Sequence, residues 1–341
     1  MRNTLAFLAA FIPAIGFAQV NFTIKGTLSK LKGPAKMYLM FQDTNAAHFD
    51  SARLVNGNFV IRGKTADPLK GILILVRGNK FLKDAPEAEL LELYLENGIV
   101  TVRGTDSVVN AKVTGGKANA DFRKWAAESG DMTQVKPETS LAYIRNNLNS
   151  WTSLDLVIAN TEAHQSMEVM ENIFDSLGTD LKNSVRGQNY EEKRRLRNAL
   201  RPGLPAPDFT GHTPDGKLIK LSDFRGKVVL LDFWSSWCKP CRAISPKLAE
   251  AYRKYKNKGF VVVGVTMDTD AQKAAWIKAI KDDGITWPQM ADGKGFQGEI
   301  ARLYQIGILP ASALIGKDGK YISTGTVGQS LYDLLDKLLA E

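Results

Sequence analysis

The sequence predicts an α/β domain at its C-terminal end, with a central mixed sheet flanked by helices. A mainly antiparallel β domain and a helical connector precede it. Three observations carry this. Beyond residue 226, apolar strand-like runs alternate with helix-period stretches, which implies a sheet covered on both faces. Between Val20 and Gly116, alternating runs are punctuated by Asn-Gly pairs, as in antiparallel sheets with one buried face. From Lys117 to Leu200 the apolar period becomes helical.

The first 18 residues have the grammar of an export leader. Arg2 supplies a positive start, Leu5 to Phe17 is almost wholly apolar, and Gly16-Phe17-Ala18 offers a small-x-small cleavage site. The mature chain is expected to begin at Gln19, soluble and periplasmic, with no stable membrane insertion. The apolar run is too short to span a bilayer comfortably.

The β domain is assigned to residues 19–116. Asn56-Gly57 and Asn97-Gly98 each sit between extended runs and predict type I′ hairpins. Leu91, Leu93 and Leu95 alternate with polar or amphipathic partners, and Gly71 to Val76 is a further apolar strand. His48 stands alone and reads as a surface imidazole. The connector, residues 117–200, carries the stripes Leu141, Ile144, Leu148 and Met170, Phe174, Leu177, Leu181, read as packing faces. His164 has no evident partner there.

Arg201 to Pro207 holds three prolines and a glycine, cannot continue a helix, and opens the last domain, 201–341. Lys227–Phe233 is an apolar strand with one acid, Asp232, inside it. A helix follows from about Pro240, with Ile244, Leu248, Ala251, Tyr252 and Tyr255 on one face. Phe260–Val265 is a second buried strand, Ala274–Ile280 a helix, and Ala313–Ile315 with Tyr321–Ser323 a hairpin. Leu331, Leu334, Leu335, Leu338 and Leu339 stripe the final helix.

Composition excludes several classes. Hydrophobic residues are 44% and charged residues 24%, ordinary for a folded soluble chain. The net charge is +9, but the bases are mostly interspersed with acids. The densest run, Lys193 to Arg197, follows Glu191-Glu192 and reads as a solvated helix face. No nucleic-acid signature accompanies it. The chain has two cysteines, Cys238 and Cys241, too few for a disulfide-stapled scaffold.

Those two cysteines form a Cys-x-x-Cys pair where a buried strand meets a helix. A helix N-terminus offers free N–H groups and a positive dipole end, which stabilise a thiolate at Cys238. Lys239 adds positive charge, and Pro240 suits the first turn because its missing N–H is not needed there. Structural zinc wants four ligands, and the three histidines supply no second pair. An inert disulfide over so short a loop would stabilise little. The pair therefore reads as redox-active. Asp232, six residues before Cys238, is placed to point under the helix toward Cys241 and to take its proton.

The motifs Ala206-Pro207-Asp208-Phe209, Leu221 to Lys227, Asp232 to Arg242 and Leu309-Pro310 resemble the thioredoxin superfamily. They are most similar to its exported TlpA/ResA-like thiol–disulfide oxidoreductases, over 137 of the 341 residues. The resemblance implies a thioredoxin fold with Cys238 as attacking thiolate and Cys241 as resolving thiol. It also implies a cis bond before Pro310, leaving the Leu309 backbone free to pair with an extended substrate. Trp237, Lys239 and Pro240 would support the site. Protein or small-molecule disulfides would be substrates and a membrane thiol-transfer protein the electron donor. The redox-active disulfide would be the only redox group, with no metal or organic cofactor.

Two positions depart from the family. Ile244 replaces a glutamate common three residues after the second cysteine, so the proton-handling acid moves to Asp232. Ala311 replaces a threonine often found after the proline, which bears on substrate preference. Two alternatives stand beside the reductase. One is a thiol peroxidase of the AhpC/TSA kind, against which Leu231 stands where the peroxidatic motif needs proline. The other is a non-catalytic ligand-binding protein with a thioredoxin scaffold.

Overall fold

The computed structural model describes residues 19–340 except 44–45, 79, 131–135, 163–166 and 326–327. The expected leader and His164 lie outside the described residues. The chain divides into two units, Met1–Glu191 and Glu192–Glu341. The division falls inside a helix, ahead of the proline-rich stretch where the sequence alone placed it.

In the first unit, β1 (Val20–Leu28), β4 (Asn58–Thr65), β7 (Gly98–Gly104) and β8 (Lys112–Thr114) form one sheet, in the order β4-β1-β7-β8. A second sheet has the order β3-β2-β5-β6, from β2 (Ala35–Gln42), β3 (Ala47–Arg53), β5 (Leu69–Arg77) and β6 (Glu89–Leu95). Phe22, Ile24, Phe59 and Val102 from one sheet share a core with Met37, Leu39, Leu73 and Leu93 from the other. Strict alternation makes this possible, since every second side chain faces inward.

The Asn-Gly turns correct the hairpin expectation. Asn56 and Gly57 both have positive φ, +49° and +73°, and Val55 bridges Asn58. Beyond that single bridge β3 and β4 part into different sheets. At Asn97-Gly98 only the glycine has positive φ, and β6 and β7 likewise join different sheets. Turn chemistry sets a local reversal. Which strands then pair is decided by burying the apolar faces of two sheets against each other.

Among the described residues, six helices follow: α1 (Lys117–Ser129), α2 (Pro137–Asn146), α3 (Trp151–Glu162), α4 (Met167–Ser176), α5 (Thr179–Asn183) and α6 (Val185–Ala199). Glu96, just past β6, accepts the Ala118 and Asn119 backbone N–H groups at 2.9 and 2.8 Å. It thereby caps α1 and offsets its positive end. Gly116 is required there, because a Cβ would meet the Glu96 carboxyl carbon at 1.9 Å. Asn119 brackets the Tyr94 backbone, accepting from its N–H and donating to its carbonyl. Arg186 of α6 pairs with Asp155 of α3, donates its backbone N–H to Asp67 at 2.9 Å, and donates a guanidinium N–H to the Pro68 carbonyl at 3.1 Å. Tyr94 also donates to Asp155. These bonds tie the β region to the helices and to the start of α6 within the first unit. The predicted stripe residues Ile144, Met170, Phe174, Leu177 and Leu181 form the helical core.

In the second unit, β9 (Thr210–His212) and β10 (Leu218–Lys220) make a short ribbon. A five-stranded sheet follows, order β13-β12-β11-β14-β15: β11 (Val228–Trp234), β12 (Phe260–Thr266), β13 (Gln289–Met290), β14 (Ala311–Ile315) and β15 (Tyr321–Thr324). β11, β12 and β13 run parallel, while β14 and β15 are antiparallel to their neighbours. The helices are α7 (Lys239–Tyr255), α8 (Lys273–Asp282), α9 (Glu299–Leu303) and α10 (Gln329–Leu338). Val228 and Leu230 pack under Leu248, Ala251 and Tyr255 of α7 and Leu331 and Leu335 of α10. Val229, Leu231 and Phe233 face the other way, toward Ile300, Ala301 and Tyr304. This is the mixed sheet flanked by helices that the sequence predicts. Among the described residues, no helix is long and apolar enough to cross a membrane.

Candidate active site

β11 is buried over its whole length apart from Asp232, so the chain emerges from the sheet at a fixed point. Ser235, Ser236 and Trp237 turn it into α7. Cys238 is the N-cap of α7, and its Sγ accepts the Cys241 backbone N–H at 3.3 Å. Cys238 and Cys241 are joined as a disulfide, 5.4 Å apart at Cα, and both are buried, at 5% and 4% exposure. Lys239 and Pro240 occupy the exposed first turn, one residue ahead of the predicted helix start. Trp234, Trp276, Ala279 and Ala291 enclose the sulfurs from below, and Leu309 packs against the same cluster. The Leu309–Pro310 peptide is cis, and Pro310 is exposed beside it.

Asp232 shares its sheet face with Val228, Leu230 and Trp234, the face that α7 covers. Its register partners are Ser312 on β14 and Gly264 on β12. At Gly264 the space of a side chain is taken by the Gln289 amide, which accepts from Trp234 Nε1 at 2.9 Å. Asp232 is half-buried by surface yet crowded by protein, and this desolvation pushes its carboxyl up to about 7. An acid so placed exchanges protons near neutral pH.

Sequence reasoning missed the group that fixes the loop. Asp268, two residues past β12, is 2% exposed. Its carboxylate accepts from Ser235 Oγ, Ser236 Oγ and the Ser236 backbone N–H, each at 2.8 Å, and from Thr266 Oγ1 at 2.6 Å. Four donors compensate the cost of burying the charge. A signal was present: β11 and β12 are adjacent and parallel, so residues just past their C-terminal ends must meet. Arg242, next to Cys241, makes a bidentate pair with Asp283 at the end of α8, at 2.6 and 2.8 Å.

Beside the exposed Lys239, the surface near the disulfide carries exposed apolar side chains. Trp237 is 52% exposed and Ile308 79%. Phe296, in the segment between β13 and α9, is also exposed, and its ring centroid lies 6.3 Å from that of Trp237.

A vicinal cysteine pair capping a helix on a mixed sheet, with a cis-proline loop packed against it, defines a thioredoxin-fold thiol–disulfide oxidoreductase. Comparison with known proteins gives the same class. Residues 202–322 match the AhpC/TSA family, and residues 22–122 match a domain of unknown function, DUF4369. The ResA thiol–disulfide oxidoreductase of Bacillus thuringiensis subsp. konkukian is 42% identical over 120 residues, 35% of this chain and 66% of that relative. The chain thus spans slightly under two thirds of that relative's length. The ResA protein of Bacillus anthracis is 37% identical over 137 residues, 40% of this chain and 76% of the relative. The solved thioredoxin domain of a Bacteroides vulgatus thiol–disulfide oxidoreductase is 35% identical, with a TM-score of 0.38, over 41% of this chain and 99% of that one. The chain belongs to the ResA family of thiol–disulfide oxidoreductases.

Proposed function

We propose that this protein is an exported, periplasmic reductase of protein disulfides. The observation that carries it is the placement of Cys238 as the N-cap of α7, with Cys241 one turn on and Asp232 on the strand beneath. In the reduced enzyme the helix N-terminus stabilises the Cys238 thiolate. That thiolate attacks one sulfur of a substrate disulfide. The substrate S–S bond breaks, a Cys238–substrate bond forms, and the other substrate sulfur leaves as thiolate and takes a proton from solvent. Asp232, ionised, accepts the Cys241 thiol proton. The Cys241 thiolate then attacks Cys238 Sγ, closes the intramolecular disulfide and releases the second substrate thiol. Two electrons pass from the dithiol to the substrate. A membrane thiol-transfer protein restores the dithiol, and no metal or organic cofactor takes part.

Trp237, Ile308 and Pro310 would receive an extended substrate segment, with the backbone of Leu309 pairing along it. The AhpC/TSA match keeps a thiol-peroxidase reading in view. Leu231, however, occupies the position of the proline that chemistry needs, so purified dithiol protein should not consume peroxide catalytically. The reduction potential tests the direction. A value near that of thioredoxin, about −270 mV, supports a reductase, and one near about −120 mV makes the protein an oxidant.

A further inference from the structure

The outer face of the β4-β1-β7-β8 sheet is cationic. Alternation turns Phe22, Ile24, Phe59, Ile61, Val100 and Val102 inward, so their neighbours point out. The register sets these in rows. Lys25 lies between Val60 and Thr101, Thr23 between Arg62 and Ile99, and Thr27 between Asn58 and Arg103, with Lys112 beside Arg103. Lys64 stands opposite Asn21 at the end of β4. Five cations, Lys25, Arg62, Lys64, Arg103 and Lys112, are therefore exposed on one face, and the strands place no acid among them. Among the described residues none of the five enters an ion pair. Two branched apolar side chains sit within this field: Val60, 41% exposed, and Ile99, 53% exposed.

We propose that this face is a docking surface for an anionic lipid bilayer. Charge complementarity selects an anionic partner, because like charges held this close on a sheet repel and nothing in the sheet neutralises them. The choice of lipid over a soluble polyanion rests on the two other features of the face. The strands place no aromatic ring on it, and stacking platforms are what single-stranded nucleic acids use. Val60 and Ile99 have no role against a hydrated polyanion, whereas a bilayer offers phosphates for the cations and an acyl boundary for these two side chains. The cations are spread over rows about 7 Å apart and strands about 4.8 Å apart, a spacing suited to a plane of headgroups. Each contributes modestly, so binding is peripheral, reversible and weakened by salt. Such a surface would hold the redox unit near membrane-bound thiol donors, but it does not depend on which way the cysteine pair exchanges electrons.

The test uses the full chain and vesicles in a co-sedimentation assay. It should partition onto vesicles containing about one third phosphatidylglycerol but not onto pure phosphatidylcholine, and binding should fall steeply between about 0.05 M and about 0.5 M salt. Lys25→Glu with Arg62→Glu and Arg103→Glu should lower the partition coefficient about a hundredfold or more while leaving insulin reduction unchanged. The same three positions as Gln should lower it to an intermediate degree, which separates charge from misfolding. Val60→Ser with Ile99→Ser should weaken vesicle binding about tenfold without changing retention on heparin. Equal partition onto both vesicle types, or undiminished binding by the Glu variant, overturns the proposal. Retention on heparin without vesicle binding overturns it in favour of a soluble polyanion.

Discussion

The Asp268 carboxylate accepts the backbone N–H of Ser236 at 2.8 Å, two residues before the sulfur that opens the exchange reaction. With the hydroxyls of Ser235 and Ser236 on the same carboxylate, the loop into α7 is pinned to the end of the neighbouring strand. Cys238 owes its N-cap position to this loop, and its thiolate stabilisation follows from that position.

Asp268→Ala should leave the Ser236 N–H without its buried acceptor and destabilise the second unit by roughly 3 kcal/mol. It should also raise the Cys238 thiol pKa, read as a shift to higher pH of the alkylation-rate profile of the reduced protein. Asp268→Asn, which keeps one acceptor oxygen, should recover part of that shift. A profile unchanged in the Ala variant would make Asp268 structural only.

Asp232 makes two predictions of opposite flavour. Asp232→Asn should slow the resolving step and abolish its rise with pH around 7, while attack by Cys238 stays largely intact. Rapid-quench analysis of the mixed disulfide measures this. The same substitution should stabilise the protein. The carboxyl is raised from 3.8 to about 7 by burial. At low pH both folded and unfolded states are protonated. As pH rises through 4 the unfolded state ionises freely while the folded state does not, so stability falls until the folded carboxyl ionises as well, near pH 7. The stability gain in Asp232→Asn should be near zero below pH 4, grow between pH 4 and 7, and level off at a magnitude on the order of a few kcal/mol. A gain independent of pH contradicts the assigned environment.

Phe296→Ala removes one of the exposed apolar side chains near the disulfide. KM for a protein disulfide should rise about two- to tenfold, the worth of one aromatic contact. The rate with a small hydrophilic disulfide and the reduction potential should not change. Equal loss on both substrates would remove Phe296 from recognition.

Arg186 is the test of the first unit. Arg186→Ala removes the guanidinium from Asp155, which among the described residues keeps only the Tyr94 hydroxyl, and from the Pro68 carbonyl; it should cost about 3 kcal/mol or more in that unit's unfolding free energy, followed by tyrosine and tryptophan fluorescence. Insulin reduction by the folded variant should be unaffected.

Much of the redox unit was legible in the sequence because its signals are local. The Cys-x-x-Cys pair, the lone acid in an apolar strand and the leucine stripe of the last helix each sit within a few residues, and β11, β12, α7 and α10 fall where those signals lie. Asp268 was not legible by adjacency, since the two serines it holds are 32 and 33 residues away and meet it only because two strands run parallel. The Asn-Gly turns misled for a related reason: they encode a reversal, while the pairing of β3, β4, β6 and β7 depends on which sheet buries which face. The basic face shows the same limit. Along the chain Lys25, Arg62 and Arg103 are far apart, and only strand register gathers them.

The central claim is that Cys238 attacks and Cys241 resolves. Substrate trapping in periplasmic extracts measures it most directly. Cys241→Ser should accumulate mixed disulfides, released by dithiothreitol, and Cys238→Ser should accumulate none. Trapping by Cys238→Ser, or by neither variant, would contradict the account.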